Sequence, residues 1–268
     1  MMRAPFEVHG APPVPVVATA IHAGHDLRSE VRSLMALDEA TRRREEDPFT
    51  DVVARGLDAH VVVHRSRFEV DLNRSRDEAV YVRPEDSWGL EVWAEALPPG
   101  VAERSREIHD AFYRSMARLL DPLAAVGPFV VLDVHSYNHR RSGPHAAPAP
   151  PAGNPDVNVG TGSLDRRRFG PVVDRFVAAL HGVDGGAGPL DVRENVRFEG
   201  AHLARWVHER YPQTGCALAL ELKKTFMDEW ADEVDHAHLA RLRDAIVAAI
   251  PSVLAGLDEV ADRGVTSS

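Results

Sequence analysis

The sequence contains one cysteine and only two lysines, and both scarcities exclude interpretations of the chain. A single cysteine, Cys216, cannot form a disulfide within the chain, so a disulfide framework is excluded. It lies in an apolar run, where we expect a small buried residue rather than a nucleophile. Apart from Lys223 and Lys224, all 29 basic residues are arginines. Codon bias in a GC-rich genome accounts for this excess, so it is not evidence for phosphate binding.

Long apolar runs and several common motifs are also missing. No apolar stretch reaches the ~18 residues needed to cross a bilayer. Residues 17–20 resemble a signal-peptide cleavage site, but Glu7, His9 and four prolines make the preceding segment a poor signal core. We therefore expect a soluble, reduced, cytoplasmic protein with no membrane partner. Without a P-loop, a G-x-G-x-x-G after a strand or a G-x-S-x-G, nucleotide binding and serine-hydrolase chemistry have no support.

The composition is otherwise that of a globular protein. The 268 residues, 44% of them hydrophobic, are enough to bury a large core. A formal net charge of −10 argues against a general nucleic-acid binder, so we expect no nucleic-acid partner. Neither an internal repeat nor a shift in composition divides the chain. The sequence therefore predicts a single domain over residues 1–268.

Apolar runs and helical spacing predict alternating strands and helices. The predicted strands cover residues 14–21, 59–64, 129–134, 156–160 and 217–222. The predicted helices cover residues 29–44, 48–56, 101–124, 165–181, 201–210 and 236–255. This alternation is typical of an α/β fold with a mainly parallel sheet. Residues 138–155 are rich in proline, alanine and glycine, which indicates a long surface loop, either a functional lid or a disordered linker.

Histidines and carboxylates follow three of the predicted strands. His22 and His25 follow the first strand, His135 follows the third, and Glu221 lies in the last. Ligand sites of such sheets lie beyond the carboxyl ends of the strands, where these residues would meet. Imidazoles gathered there suit a divalent transition metal, most simply zinc, with a water in the fourth position. With fourteen histidines in the chain, a chance pairing is the alternative.

Residues 66–74 form the remaining chemically distinctive segment, S-R-F-E-V-D-L-N-R. The amide of Asn73 and the guanidinium of Arg74 lie side by side, an arrangement that can grip a carboxylate in bidentate fashion. Arg67 lies six residues earlier and could point at the same pocket. As a bare pattern, Asn-Arg has low specificity.

Taken in order, these motifs resemble the N-formylglutamate amidohydrolase family over about residues 15–230. The resemblance rests on H-A-G, S-R-F-x-V-D-L-N-R, L-D-V-H-S, D-V-N-V-G-T and L-E-L-K-K. The family is similar in fold to the zinc carboxypeptidases and to aspartoacylase. The resemblance implies a phosphorylase/hydrolase-like, zinc carboxypeptidase-like architecture, which is a three-layer αβα sandwich around a mainly parallel mixed sheet.

The resemblance also implies an activity and roles for individual residues. The implied enzyme binds one zinc ion and cleaves an N-acyl amide, such as N-formyl-L-glutamate, to the free amino acid and formate or another carboxylate. By match, His22 and His135 bind the metal, and Arg67 polarises the scissile carbonyl. Asn73 and Arg74 hold the α-carboxylate of the small-molecule substrate.

The same resemblance makes Glu221 the general base but leaves the second metal ligand open. The carboxypeptidase motif has a glutamate three residues after the first histidine, whereas this chain has His25. Family members without a ligand there can use an acidic residue at the position of Glu46 or Asp47. A solvated charge cluster is the alternative for those two residues. We expect His25 because it keeps the three-residue spacing.

A diacid substrate needs a second cation for its side-chain carboxylate. Residues 193–202 match the family's glycine-rich substrate segment loosely and offer Arg193 and Arg197, of which we expect Arg197. Two other functions remain open: a zinc carboxypeptidase or other N-deacylase, and a non-catalytic metal- or amino-acid-binding protein. Glu221 distinguishes the last, because a binding protein has no use for a base on that strand.

Overall fold

The computed structural model of the protein describes residues 3–10 and 15–265. The strands are β1 Phe6–His9, β2 Val16–Ala20, β3 His60–Val63, β4 Phe129–Tyr137, β5 Val157–Gly160, β6 Val192–Glu194, β7 Gly215–Lys223, β8 Met227–Asp228 and β9 Glu233–Val234. The helices are α1 Ser29–Arg32, α2 Glu39–Glu45, α3 Thr50–Ala54, α4 Pro99–Val126, α5 Arg166–Leu180, α6 His202–Arg210, α7 His236–Ala248 and α8 Ile250–Val265.

Seven strands form a mixed, mainly parallel sheet in the order β1-β3-β2-β4-β7-β5-β6. The four central strands β3, β2, β4 and β7 are parallel, so their carboxyl ends meet at one edge. Strand β1 pairs antiparallel with β3, and β5 pairs antiparallel with β7. The predicted α/β fold with a mainly parallel sheet is confirmed.

Helices cover both faces of the sheet because its strands are apolar on both sides. In β4, Val130, Leu132 and Val134 pack on the side of α3, α5, α7 and α8. Phe129 and Val131 point to the opposite side and pack with α4 and α6. The result is three layers, helices on either side of a sheet.

Most predicted elements are present, with differences at their ends. The strand predicted over 14–21 is β2, although position 14 lies outside the described residues. The continuous helix predicted over 29–44 is wrong. Residues 34–36 form backbone hydrogen bonds and a bridge with 92–94, which interrupts the helix between α1 and α2. The helix predicted over 236–255 is also divided at Ala249, into α7 and α8.

The proline-rich loop over 138–155 is held at both ends. The backbone N–H groups of His139 and Arg140 donate to the buried carboxylate of Glu229, at 3.1 and 2.6 Å. At the other end, Arg193 donates to the carbonyls of residues 151 and 152. These contacts place the loop beside the carboxyl ends of β4 and β7.

No helix of the described residues is long and apolar enough to cross a membrane.

Candidate metal centre and active site

The candidate site lies at the carboxyl ends of β2, β4 and β7. His22 follows β2, while His135 and Glu221 are direct neighbours on the paired strands β4 and β7. The loop between α2 and α3 brings Asp47 to the same place, because its N–H donates to the carbonyl of His22 at 3.0 Å. Residues far apart in sequence thus meet at one edge of the sheet, as strand order requires.

His22, Asp47 and His135 form a buried group that could hold a metal ion. Their ligand atoms all lie within 4.8 Å of one another. The Nδ1 atoms of His22 and His135 lie 3.5 and 3.0 Å from Oδ2 of Asp47. Nδ1 of His22 is buried without a hydrogen-bond partner among the described residues. A buried nitrogen left without a partner fits a role as a metal ligand.

Carboxylates hold both histidines from the opposite side of each ring. Nε2 of His22 lies 2.7 Å from Oδ1 of Asp71, and Nε2 of His135 lies 2.9 Å from Oδ2 of Asp133. Asp133 is itself fixed by the hydroxyl of Thr19, which donates to Oδ1 at 2.6 Å. With the proton on Nε2, each ring presents the Nδ1 lone pair to the centre, as metal-ligating histidines commonly do.

The charge of the group favours a cation. Burial alone would raise the pKa of Asp47, but the close contacts of its carboxylate with the rings of His135 and His22 hold that pKa well below its usual range. Burial is likewise outweighed at Asp71, whose pKa is lowered well below its usual range by Arg67 and His22. Ionised carboxylates and imidazoles are donors that suit zinc and related divalent ions. The residues present therefore fit a metal centre.

The structure does not bring His25 into this group. Its Nδ1 lies 2.5 Å from Oε2 of Glu46, and its Nε2 lies 3.4 Å from Glu39. Glu46 is also turned away from the centre, because it accepts a hydrogen bond from Ser66. Of the three residues considered for the second ligand, only Asp47 lies with His22 and His135. The three-residue spacing therefore does not bring the two histidines together, because the side chain of His25 contacts Glu46 and Glu39 instead.

Arg67 lies in the site and shares Asp71 with His22. Its Nη2 donates to Oδ2 of Asp71 at 2.9 Å, and its Nε donates to the hydroxyl of Tyr81 at 3.3 Å. The guanidinium also lies 4.7 Å from the centre of the Trp88 ring. Burial would lower the pKa of Arg67, but Tyr81 and Asp71 hold it above its usual value. Arg67 is therefore a fixed cation near the candidate metal site.

Asn73 and Arg74 are neighbours in sequence but differ in position. Asn73 lines the central cavity, with Nδ2 3.4 Å from Nε2 of His135 and Oδ1 accepting from Leu203 N–H at 3.0 Å. Arg74 does not line this cavity. Its Nη2 donates to the carbonyl of Asp86 at 2.7 Å. The two side chains do not present one joint surface in this arrangement.

Glu221 faces the cavity without a side-chain hydrogen bond or ion pair to the residues that the structure describes. Lys223, which lies on the same face of β7, is paired instead with Asp156 at 2.6 Å. A structural salt bridge between Glu221 and Lys223 is therefore absent. Burial raises the pKa of Glu221 to about 7. The charge of His135 opposes this rise, and the charges of Asp47 and Asp133 contribute to it.

These side chains surround a cavity of about 380 Å³. Its lining includes the candidate metal ligands, Glu221, Arg67 and Asn73. Three further cavity residues are Arg141, Lys224 and Trp88. Arg197 does not line the cavity but lies beside it, where its Nη1 donates to Asn154 at 2.9 Å and its guanidinium lies 5.5 Å from the Tyr137 ring.

Several residues of the site are not identified by the sequence analysis. Asp71 and Asp133 both lie inside motifs that resemble the family, but they are neighbours of the residues to which those motifs give a role. Strand alternation gives one usable signal, because it places Asp133 on the same face as His135. No comparable sequence signal marks Tyr81 or Arg141. Cys216 is buried, as predicted, and burial raises the pKa of its thiol.

Comparison with known proteins gives one family and a consistent fold. Residues 14–227 match the family model described as N-formylglutamate amidohydrolase. No protein of curated function matches the sequence. Among solved structures, an N-formylglutamate amidohydrolase from Ralstonia eutropha is similar over 98% of this chain and 100% of its own, with 15% identity and a TM-score of 0.71.

Two further structures are similar to this chain. A gene product of Agrobacterium tumefaciens has a TM-score of 0.65 and 17% identity, covering 93% of this chain and 96% of its own. A metallo-carboxypeptidase from Burkholderia cenocepacia has a TM-score of 0.41 and 15% identity, covering 96% of this chain and 61% of its own.

Proposed function

The chain belongs to the N-formylglutamate amidohydrolase family, and on that basis we propose that it is a zinc-dependent amidohydrolase acting on N-formyl-L-glutamate or a related short N-acyl amino acid. The reaction adds water across the amide, so that the C–N bond breaks and formate, or another carboxylate, and the free amine leave. The proposal takes residues 1–268 as one catalytic domain. It assigns the single zinc ion to His22, Asp47 and His135.

The observation that carries the proposal is the position of Glu221 beside the candidate metal ligands. Glu221 is in register with His135 on the neighbouring strand and faces the same cavity. When bound, the metal would supply the Lewis acidity that activates water and polarises the carbonyl. Glu221 takes the proton of the attacking water and returns it to the leaving nitrogen. A carboxyl with a pKa near neutrality suits both transfers.

Arg67 is proposed to stabilise the oxyanion that forms on the scissile carbonyl. Contacts with Asp71 and Tyr81 hold its Nη2 and Nε, so the guanidinium is already oriented before a substrate enters. Its Nη1 is not used in either contact. A donor that is fixed in advance stabilises developing charge without the cost of reorganisation.

Substrate carboxylates are proposed to bind at two places. Asn73 and Arg74 take the α-carboxylate, which requires Arg74 to exchange the carbonyl of Asp86 for the substrate. Arg197 takes the side-chain carboxylate, together with Arg141 at the cavity wall. Arg74 lies 3.7 Å from Asp71, whereas no acidic side chain lies within 4.0 Å of Arg141 or Arg197 in the described part of the chain. Arg141 and Arg197 therefore remain available for the second carboxylate of a dianionic substrate.

Formate release from a panel of N-formyl amino acids tests the function. We expect turnover of N-formyl-L-glutamate to exceed that of N-formyl-L-glutamine, since only the first carries the second carboxylate. Chelation should abolish turnover, and added Zn²⁺ should restore it. Faster release from N-acetyl or peptide substrates would instead favour another N-deacylase or a carboxypeptidase. Zinc and substrate binding without any turnover would favour a binding protein.

A further inference from the structure

Lys224 is a lysine in an unusual place, buried to 1% exposure directly after β7. Taking an ammonium out of water costs several kcal/mol unless its protons are all matched by acceptors. The mechanism proposed above makes no use of this residue, although it lines the cavity. Its burial therefore needs a separate explanation.

All three protons of the ammonium have acceptors. Nζ of Lys224 donates to the carbonyl of Arg44 at 2.6 Å, to the carbonyl of Glu46 at 2.7 Å and to Oδ1 of Asn138 at 2.9 Å. A lysine that gives three hydrogen bonds is protonated and has no lone pair to offer. Lys224 is thus neither a nucleophile nor a base in this arrangement.

The three acceptors belong to the segments that carry the candidate metal ligands. The carbonyls of Arg44 and Glu46 come from the end of α2 and the residue before Asp47. Asn138 follows directly after β4, the strand that carries His135. A cation at these carbonyls also complements the negative end of α2. Without it, the carbonyls of Arg44 and Glu46, on the segment that leads to Asp47, would lose a charge-assisted partner.

We propose that Lys224 is a positioning residue that holds the Asp47 loop against β4 and β7, and thereby sets the geometry of the metal site. The inference rests on the metal site of the proposed function. It extends that function by giving the buried lysine a role that acts through Asp47.

The adjacent Lys223 supplies a matched control. Its Nζ contacts Oδ1 of Asp156 at 2.6 Å and the carbonyl of Asn154 at 3.1 Å, and neither residue belongs to a segment that carries a metal ligand. The two lysines thus have the same chemistry and adjacent positions, but their ammonium groups contact different segments of the chain. A general effect of losing a lysine near the end of β7 should appear in both variants.

The experiment compares Lys224→Met with Lys223→Met in Zn²⁺ affinity, measured by competition with a chelator, and in the visible absorption of the Co²⁺-loaded protein. Loss of a group that orients a ligand weakens metal binding roughly 10–100-fold. We expect that loss, and altered Co²⁺ bands, in Lys224→Met alone. Wild-type affinity and bands in Lys224→Met would overturn the inference, even if its metal-free protein melts at a lower temperature.

Two further variants keep the test decisive if Lys224→Met does not fold. Lys224→Arg keeps the charge and the donors, so it should retain most of the affinity, whereas the shorter Lys224→Gln should lose it. Equal affinity in wild type, Lys224→Arg and Lys224→Gln would overturn the inference. A wild-type protein that binds no Zn²⁺ would overturn the proposed function as well, so the two failures are distinguishable.

Discussion

Nε2 of His22 lies 2.7 Å from Oδ1 of Asp71, and the other oxygen of that carboxylate accepts from Arg67. One buried carboxylate therefore holds both a candidate metal ligand and the candidate oxyanion donor. The hydroxyl of Tyr81 donates to the same oxygen as Arg67. Asp71 thus connects the candidate metal centre, through His22, with the candidate oxyanion donor Arg67.

Asp71→Asn should weaken Zn²⁺ binding and lower kcat together. The amide keeps the shape but cannot hold the His22 tautomer or the charge of Arg67 equally well. We expect a roughly 10–100-fold loss of metal affinity, measured by chelator competition, and a further loss of kcat at saturating Zn²⁺. Asp77→Asn, at an exposed position on the same segment, is a suitable control. If Asp71→Asn has full activity once it is saturated with Zn²⁺, Asp71 is not needed to orient Arg67.

Zinc content should depend on His22, Asp47 and His135 and not on His25. Elemental analysis of the four single alanine variants, each checked for folding by circular dichroism, measures this directly. We expect near-stoichiometric zinc in wild type and His25→Ala. The double variant His22→Ala/His135→Ala should contain almost none. Retention of zinc by that double variant would contradict the metal site.

Glu221→Gln should lower kcat by about 10²–10⁴, the usual contribution of general acid–base catalysis. The amide is nearly isosteric, and the structure gives Glu221 no ion pair to lose, so zinc content and melting temperature should barely change. Steady-state formate release and thermal unfolding measure the two effects. A variant that keeps more than about a tenth of the wild-type kcat would refute the assignment.

Arg74→Ala should lower kcat/KM by about 30–1000-fold if Arg74 binds the α-carboxylate, since losing such a contact costs roughly 2–4 kcal/mol. Amidating the α-carboxylate of the substrate should cost wild type a similar factor and Arg74→Ala much less. Arg67→Ala serves as the comparison, because it should lower activity equally for both substrates. If amidation costs Arg74→Ala as much as wild type, the carboxylate binds elsewhere.

Acid should destabilise the fold partly through His208. Its Nε2 accepts from Ala217 N–H at 2.9 Å, and burial lowers the pKa of His208 to about 4. The folded state thus binds its proton less readily than the unfolded state. This stability is present above about pH 6.5 and is lost as the pH falls toward 4. Allowing for partial solvent exposure, the loss is about 2 kcal/mol.

Chemical denaturation at pH 7 and pH 4.5 measures this effect. His208→Gln should be less stable than wild type at pH 7, and its stability should fall less between the two pH values. The control is His145→Gln on the exposed loop, which should follow wild type. Identical pH dependence in His208→Gln and wild type would contradict the assignment to His208.

The sequence predicts the central strands because their continuous apolar runs must be buried, and a strand inside the sheet buries them on both faces. The histidines at the carboxyl ends of β2 and β4 are predicted with these strands. It does not predict β1 or β6, which are short strands at the two edges of the sheet and bury little apolar surface. It also does not choose between His25 and Asp47. That choice depends on a backbone hydrogen bond from Asp47 to His22, formed only when the loop before α3 packs against the sheet.

The same limit applies to Arg74 and Arg197. Motif matching assigns both to the substrate, but the side chain of Arg74 contacts a carbonyl and that of Arg197 contacts an amide in the structure described here. Where a long side chain points is decided by its neighbours in space. The sequence lists candidates for a carboxylate site and leaves their orientation to tertiary packing.

The pairing of β4 with β7 has a consequence for how the protein assembles. These adjacent strands are about a third of the chain apart in sequence, so their contact closes a long loop and should be slow to form. His22, Asp47 and His135 all precede β5 along the chain, whereas Glu221 arrives only with β7. During synthesis from the N-terminus, the residues proposed to capture the metal emerge from the ribosome well before the base that would make the site catalytic.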